Sequence, residues 1–440
     1  MRVPDTLIGL AKKELTLSIL EYGQQIPRRI SVWWKVENQT TTLHVPRFWL
    51  QEKLGTSLQT PSGTSLQTPY TGVPVSFESI VRLRDDLDQV KAMAATMHSI
   101  RTIGGAVLSL GTGQGKTVCA CHAIAELGTK TMVIVHKDVL KTQWTERIRQ
   151  FLPHATISYV QGQSLDTSGD IVIAMLQTLI IPGKKVDVSD IGLVVVDECH
   201  HIAAETFSTA MRLFDCRYFL GLSATPKRKD SLTNVIHWFL GPLAYAAQRR
   251  EMKHVTVDCR WYASDRYYTE PLPTNRLGNV DFAKVMTSLA SDPIRTKFVA
   301  DLVNDVLAKE PKRQVLVLSH RRQHCQDLAA LIPGAAVFVG KPRTKKKKTV
   351  EDTAHLTAPV VCATFSLASE GYDDPRLDTL VLATPCSDVT QAAGRILRGV
   401  GGDIDPLIVD VCDRFSLGFS QAAKRKGYYR KAGFRFLPLS

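Results

Sequence analysis

Followed for where its apolar residues fall, the chain changes character twice. From Val81 onward, short apolar runs alternate with segments of helical spacing: Ala106 to Leu110, Thr131 to Val135, Ile171 to Ala174, Leu193 to Val196 and Tyr218 to Leu222. A run apolar at every position needs burial on both faces, which a strand finds in a parallel sheet covered by helices. A second series begins near Gln314, with Val315 to Leu318, Pro359 to Ala363, Thr379 to Ala383 and Leu407 to Val411. The pattern predicts an α/β protein with two parallel-sheet domains in tandem. Between them, about Tyr245 to Ser291, the regularity fades and the chain reads as a connector.

Ahead of Val81 the texture differs. Ile30 to Val36 and Thr41 to Val45 are rich in β-branched and aromatic residues and predict two short strands of a small accessory domain. A duplication follows, Gly55-Thr-Ser-Leu-Gln-Thr-Pro61 and again Gly63-Thr-Ser-Leu-Gln-Thr-Pro69. Two such copies are too few for a solenoid, and their Gly, Pro, Ser and Thr content predicts an extended linker. The expected layout is residues 1–80 as accessory domain and linker, 81–245 as the first sheet domain, and 246–440 as connector and second sheet domain.

Composition adds a partner. Lys and Arg number 55 against 42 Asp and Glu, a formal charge of +13 across 440 residues. Such an excess favours polyanions through counterion release, which puts nucleic acid first and an anionic membrane surface second. No apolar run approaches the roughly 20 residues that cross a bilayer, and the first residues lack the order of a secretion signal. The chain is read as soluble and intracellular, with no membrane partner. Its nine cysteines include no Cys-x-x-Cys pair, so free buried thiols are expected and a structural zinc is not.

Two motifs carry chemistry. The first apolar strand runs into Leu110-Gly111-Thr112-Gly113-Gln114-Gly115-Lys116-Thr117, followed by a helical segment. Small residues there let backbone N–H groups close on phosphates. Gly113, Gln114 and Gly115 would line the loop, Lys116 would meet the β and γ phosphates of ATP, and Thr117 would hold Mg2+. Leu110 stands where the general pattern has its first Gly. Eighty residues on, Leu193 to Val196 delivers Asp197-Glu198-Cys199-His200 to a strand's carboxyl end, where open α/β sheets bind ligands. Asp197 would hold the metal and Glu198 would polarise the attacking water, with His200 counted in the catalytic set.

With those motifs in order, the sequence resembles a superfamily 2 helicase over about residues 80 to 415, which implies RecA-like domains that bind and hydrolyse ATP at a cleft between them. Ser223-Ala224-Thr225-Pro226 resembles the motif that couples hydrolysis to nucleic-acid binding, and Val133 to Lys137 with Gln143-Trp144 resembles the segment beside the nucleic-acid strand. Thr364 through Gly371 and Asp373 resembles the fifth motif, and Gln391-Ala-Ala-Gly394-Arg395-Ile-Leu-Arg398 the sixth. By that correspondence Arg395 and Arg398 are arginine fingers, Thr364 and Gln391 belong to the coupling set, and Gly371 and Asp373 to the nucleotide set. An adenine-reading glutamine is expected after a Leu-Arg pair, and Gln89 follows Leu83-Arg84 with a longer interval than the family uses.

Within the superfamily the wording is similar to the xeroderma pigmentosum B type helicases, to the poxvirus transcript-release type of large DNA viruses and to phage recombination helicases. Pro46-Arg47-Phe48 ahead of the motor is part of that similarity. The resemblance implies a 3′ to 5′ motor on DNA in transcription, repair or recombination. The alternatives are an ATP-switched nucleic-acid-binding protein without strand separation, and an RNA helicase. Two basic stretches stay open between solvated surface and nucleic-acid contact: Lys341 to Lys348, and Lys424-Arg425-Lys426-Gly427-Tyr428-Tyr429-Arg430-Lys431, where a closing structural role is the other reading.

Overall fold

The computed structural model describes residues 5–19, 28–37, 41–54, 69–111, 113–201, 204–224, 233–247, 254–264, 271–275, 278, 280–339, 354, 357–366, 374–397 and 404–438. The chain divides into two compact units, Met1–Gln248 and Arg249–Ser440. The duplicated segment up to residue 68 and the Lys341 to Lys348 run lie outside the described residues. Among the described residues no helix is long and apolar enough to cross a membrane.

Unit 1 opens with α1 (Asp5–Glu14), two antiparallel strand pairs, β1 (Thr16–Ile19) with β2 (Arg28–Ser31) and β3 (Trp34–Glu37) with β4 (Thr41–His44), and α2 (Arg47–Leu54). The single strand expected over Ile30 to Val36 is thus two. Val32 and Trp33 form the break: Val32 is buried and its N–H donates to Leu15 O, while the Trp33 indole donates to Thr16 Oγ1. A side chain pulled into a core interrupts the ladder that β propensity alone would continue.

Next come α3 (Gln89–Ile103), β5 (Gly105–Ser109), α4 (Lys116–Leu127), β6 (Thr131–Val135), α5 (Asp138–Phe151), β7 (Ile157–Gln161), β8 (Ser164–Leu165), β9 (Ile171–Met175), α6 (Leu176–Leu179), β10 (Leu193–Val196), α7 (Ala204–Met211), β11 (Tyr218–Ser223), α8 (Thr233–Leu240) and β12 (Leu243–Ala246). They build one sheet in the order β12-β5-β11-β10-β6-β9-β7-β8, parallel throughout except for the short antiparallel β8. Alternation along each strand feeds two cores. Met132, Ile134, Val194 and Val196 face one, and Val133, Val135, Leu193 and Val195 face the other, as two-sided burial of period-two strands requires.

The N-terminal elements belong to the first of these cores, where Ala11, Leu15, Val32, Phe48 and Trp49 pack with the sheet residues. Arg47 fastens them. Its guanidinium donates to Cys216 O at 3.1 Å, Gly104 O at 3.0 Å and Arg217 O at 2.7 Å, and it lies 4.7 Å from the centre of the Phe48 ring. Gly104 ends α3 in the left-handed region at φ 93°, and a Cβ there would meet the Arg47 side chain at 2.5 Å.

Unit 2 holds β13 (Thr256–Tyr262), α9 (Phe282–Ala290), α10 (Pro293–Lys309), β14 (Val315–Ser319), α11 (Arg322–Leu331), β15 (Ala335–Phe338), β16 (Val360–Thr364), β17 (Thr379–Leu382), α12 (Thr390–Ile396), β18 (Leu407–Asp413), α13 (Ser416–Lys431) and β19 (Arg435–Phe436). Its parallel sheet runs β15-β16-β14-β17-β18-β13-β19. The stretch read as an irregular connector therefore holds only the end of β12 of the first sheet but all of β13 of the second, where β13 pairs with β18 from Thr256↔Leu407 to Tyr262↔Asp413. The strand hides in the sequence because Asp258 and Arg260 alternate with buried Val257 and Cys259, so it carries no continuous apolar run.

Candidate nucleotide site at the carboxyl edge of the first sheet

Four adjacent strands deliver chemistry to one edge: β5 to the phosphate loop, β11 to Ser223, β10 to Asp197 and β6 to His136. The loop departs from its general pattern at Leu110, and burial supplies the reason. That side chain is fully buried in the core, so the turn begins at Gly111, while the Leu110 carbonyl accepts from Lys116 Nζ at 3.3 Å. Gly113 and Gly115 take φ of 82° and 81°, the left-handed region that side chains resist. The Gly111 N–H donates to Gln114 Oε1, and α4 starts at Lys116 with its free N–H groups at the loop.

Gln89 reaches this loop despite its unusual spacing. Its carboxamide accepts from the Arg84 N–H at 2.9 Å and donates to Gln114 O at 2.9 Å, and the residue is 2% exposed. A Cβ at Gly115 would meet Gln89 Nε2 at 2.3 Å. The extra residues fold as a one-turn helix, Asp85–Leu87, with Asp88 at φ 57° turning the chain into α3. A local turn absorbs the longer interval.

At the end of β10, Asp197 is 6% exposed. Its Oδ1 accepts from the Glu198 N–H at 2.9 Å and its Oδ2 from the Trp144 indole at 2.8 Å. Burial, then the charge of Glu198, push this carboxyl up to about 6, against the Trp144 N–H and the Lys116 ammonium that favour its charged form. Glu198 sits at φ 46°, uncommon for a residue with a side chain, with one carboxylate oxygen 3.6 Å from Lys116 Nζ and the other 3.4 Å from His200 Nδ1. That ring nitrogen lies 2.9 Å from Ser223 Oγ. A path Lys116–Glu198–His200–Ser223 thus joins the loop, the end of β10 and the end of β11. The hydroxyl of Thr117 and the carboxylate of Asp197 are the hard oxygen donors that Mg2+ prefers, so the residues fit that ion.

In unit 2, Thr364 ends β16 with its Oγ1 3.4 Å from Ser366 Oγ, and Arg395 lies on α12, 6% exposed. Gln391 is the second residue of the same helix, and Ala224 follows β11. Thr225, Gly371, Asp373 and Arg398 lie outside the described residues. The C-terminal basic stretch divides: Arg425 and Tyr429 turn inward onto Asp410, while Lys424, Arg430 and Lys431 face outward. The described residues group Cys259, Asp410 and Cys412 within 4.8 Å, but Arg425 Nε already reaches both Asp410 oxygens at 2.9 Å.

Two buried polar contacts were missed in the sequence, one at this site and one in unit 2. Trp144 was read by resemblance as part of a strand-facing segment, yet it is 1% exposed and bonds Asp197. His320, after β14, meets Thr384 Oγ1 at 2.9 Å and lies 4.6 Å from the Phe365 ring, and burial holds it down near 4. A polar residue directly after an apolar strand was the available signal for His320.

Comparison with known proteins agrees with the motifs. Residues 82–228 match the family described as type III restriction enzyme, res subunit. A protein of Acanthamoeba polyphaga mimivirus, provisionally named an ATP-dependent RNA helicase, is 26% identical over 74% of this chain and 64% of its own length. The chain therefore spans less than two thirds of that relative. A protein of Invertebrate iridescent virus 6, provisionally named a helicase, is 26% identical over 74% of this chain and 76% of its own. Among solved structures, the Mycobacterium smegmatis helicase Lhr bound to ssDNA and AMP-PNP is 17% identical with a TM-score of 0.52, covering 82% of this chain and 51% of that one. The likeness shows the fold, a mixed α/β chain of RecA-like parallel sheets. By these matches the chain is similar to proteins named as helicases, two of them viral.

Proposed function

We propose that this relative of superfamily 2 helicases is an ATP-driven motor on nucleic acid that takes DNA and moves 3′ to 5′. The observation that carries the reading is the single edge of the first sheet on which Lys116, Asp197, Glu198 and Gln89 converge with the glycine loop. In this reading Gly113, Gln114, Gly115 and Lys116 bind the phosphates of ATP, and Gln89 senses the base side through the loop. Thr117 and Asp197 hold Mg2+, which would neutralise phosphate charge in the transition state. Glu198 orients the attacking water, and its link through His200 to Ser223 gives nucleic-acid binding a route to the water-activating carboxylate. Arg395 and Arg398 stabilise the γ phosphate, with Thr364, Gln391, Ala224 and Thr225 in coupling and Gly371 and Asp373 toward nucleotide. The net charge of +13 supports a polyanionic track.

The test is ATP turnover with and without single-stranded DNA, duplex, forked DNA and RNA. Lys116→Ala should lower turnover at least about tenfold, roughly 1.4 kcal/mol or more. Glu198→Gln should keep nucleotide affinity and lose hydrolysis. Near-normal turnover in Lys116→Ala would overturn the site. Stimulation by RNA alone would favour the second reading, which the name of the mimivirus relative supports.

A further inference from the structure

We propose that Trp144 is a positioning residue for the metal-nucleotide complex, its indole N–H fixing the Asp197 carboxylate in the orientation that receives the ion. The inference rests on the nucleotide reading above and goes beyond it to a residue on α5. A buried indole N–H needs an acceptor, and backbone carbonyls normally provide one. Here the acceptor is Asp197 Oδ2 at 2.8 Å, while the other oxygen takes the Glu198 N–H at 2.9 Å.

With one N–H on each oxygen, rotation of the carboxylate about its last torsion breaks a hydrogen bond in either direction. Each oxygen keeps a further lone pair. The clamp is only as firm as its base, and Trp144 is packed in one core with Leu140 and Ile148 of its own helix and with Val133 and Val195 of the sheet. Tryptophan supplies a large apolar body and one donor at its edge; phenylalanine would keep much of the packing and lose the donor. Partners of this kind behind metal ligands change metal affinity by about 10- to 100-fold when removed.

The experiment measures binding rather than turnover. Fluorescent ATP-analogue affinity is titrated with and without Mn2+ in the full chain, comparing wild type with Trp144→Phe. Metal-free affinity should stay within about twofold, whereas the Mn2+ midpoint should rise at least about tenfold. An unchanged midpoint in a folded variant overturns the inference, and so does an equal loss of metal-free and metal-dependent binding, which marks a packing defect. Should Trp144→Phe fail to fold, wild-type protein with 15N-labelled indoles decides. The Trp144 signal, assigned by removing the other tryptophans singly, should move when the metal joins bound analogue and stay unmoved by analogue alone; no movement with metal bound overturns the clamp. Wild type that binds no nucleotide at all would instead sink the nucleotide reading, so the two failures are distinguishable.

Discussion

The carboxyl edge of the first sheet and the last long strand of the second both bury aspartates, and they treat them in opposite ways. On β18, Asp410 and Asp413 are 0% and 2% exposed, and each is met by a guanidinium from a covering helix. Arg425 joins Asp410 and also donates to Cys386 O at 2.6 Å; Arg295 grips Asp413 through Nε at 2.7 Å and its terminal nitrogen at 2.9 Å, and donates to Ala383 O. Asp197, equally withdrawn from water, has two neutral N–H donors and is pushed up to about 6. A carboxylate already paired with arginine closes a structure, and one held by neutral N–H donors, with Lys116 acting on it through charge alone, is ready for a cation. The contrast also separates the metal-ligand geometry at Cys259, Asp410 and Cys412 from a working site, because arginine already occupies the carboxylate.

The comparison can be broken at its strongest point first. Arg425→Ala leaves Asp410 buried and unpaired, so it should destabilise unit 2 by about 3 to 5 kcal/mol, read as a lower urea midpoint. A loss under about 1 kcal/mol would mean that water or Tyr429 already satisfies Asp410. Arg47 is a third case, a cation whose hydrogen bonds go to backbone carbonyls and which lies over aromatic rings, with the Asp215 charge acting on it from nearby. Arg47→Met keeps the stem and strips those bonds, and should cost about 2 kcal/mol in unit 1 with basal ATPase retained in the folded fraction. Loss of ATPase from folded protein would tie the N-terminal elements to the motor's chemistry.

For Asp197 the sign reverses. Its folded value lies above the ordinary carboxylate value of about 3.9, so between roughly pH 4 and 6 the folded metal-free chain binds more protons than the unfolded one. The stability contributed by this group therefore declines as pH rises through that window. Asp197→Asn should remove hydrolysis, and because Asn has one acceptor oxygen where two N–H groups now donate, the lost hydrogen bond should offset much of the roughly 3 kcal/mol that the shift alone would return at pH 7, leaving metal-free stability within about 1.5 kcal/mol of wild type. A midpoint raised by the full amount, about 3 kcal/mol, would show that the two N–H donors contribute nothing to holding this side chain. The smallest effect is in the pH profile: wild-type turnover should fall on acidification through about 6, as Asp197 takes up its proton, and the limb should move to lower pH as Mg2+ is raised. A limb that ignores magnesium belongs to another group.

Much of this was legible in the chain. Runs such as Leu193 to Val196 need burial on both faces and so dictate parallel strands, and a glycine loop after one such strand dictates where phosphate can approach. β13 escaped because its half-exposed Asp258 and Arg260 blur the apolar run, and the break at Val32 escaped because propensity carries no information about which side chain a core will claim. The sequence by itself determined the fully apolar strands, the strand-to-loop order at the phosphate site and the inventory of chemical groups, since these follow from local periodicity and backbone freedom. Only the tertiary structure decided that Gln89 spans Arg84 and Gln114, that Trp144 on α5 meets Asp197 past the end of β10, and that Arg425 and Tyr429 turn inward while Lys424 stays out. Hydrogen bonds and charge pairs between residues far apart in the chain are fixed by which helix face packs on which strand, and residue spacing along a sequence does not encode that choice.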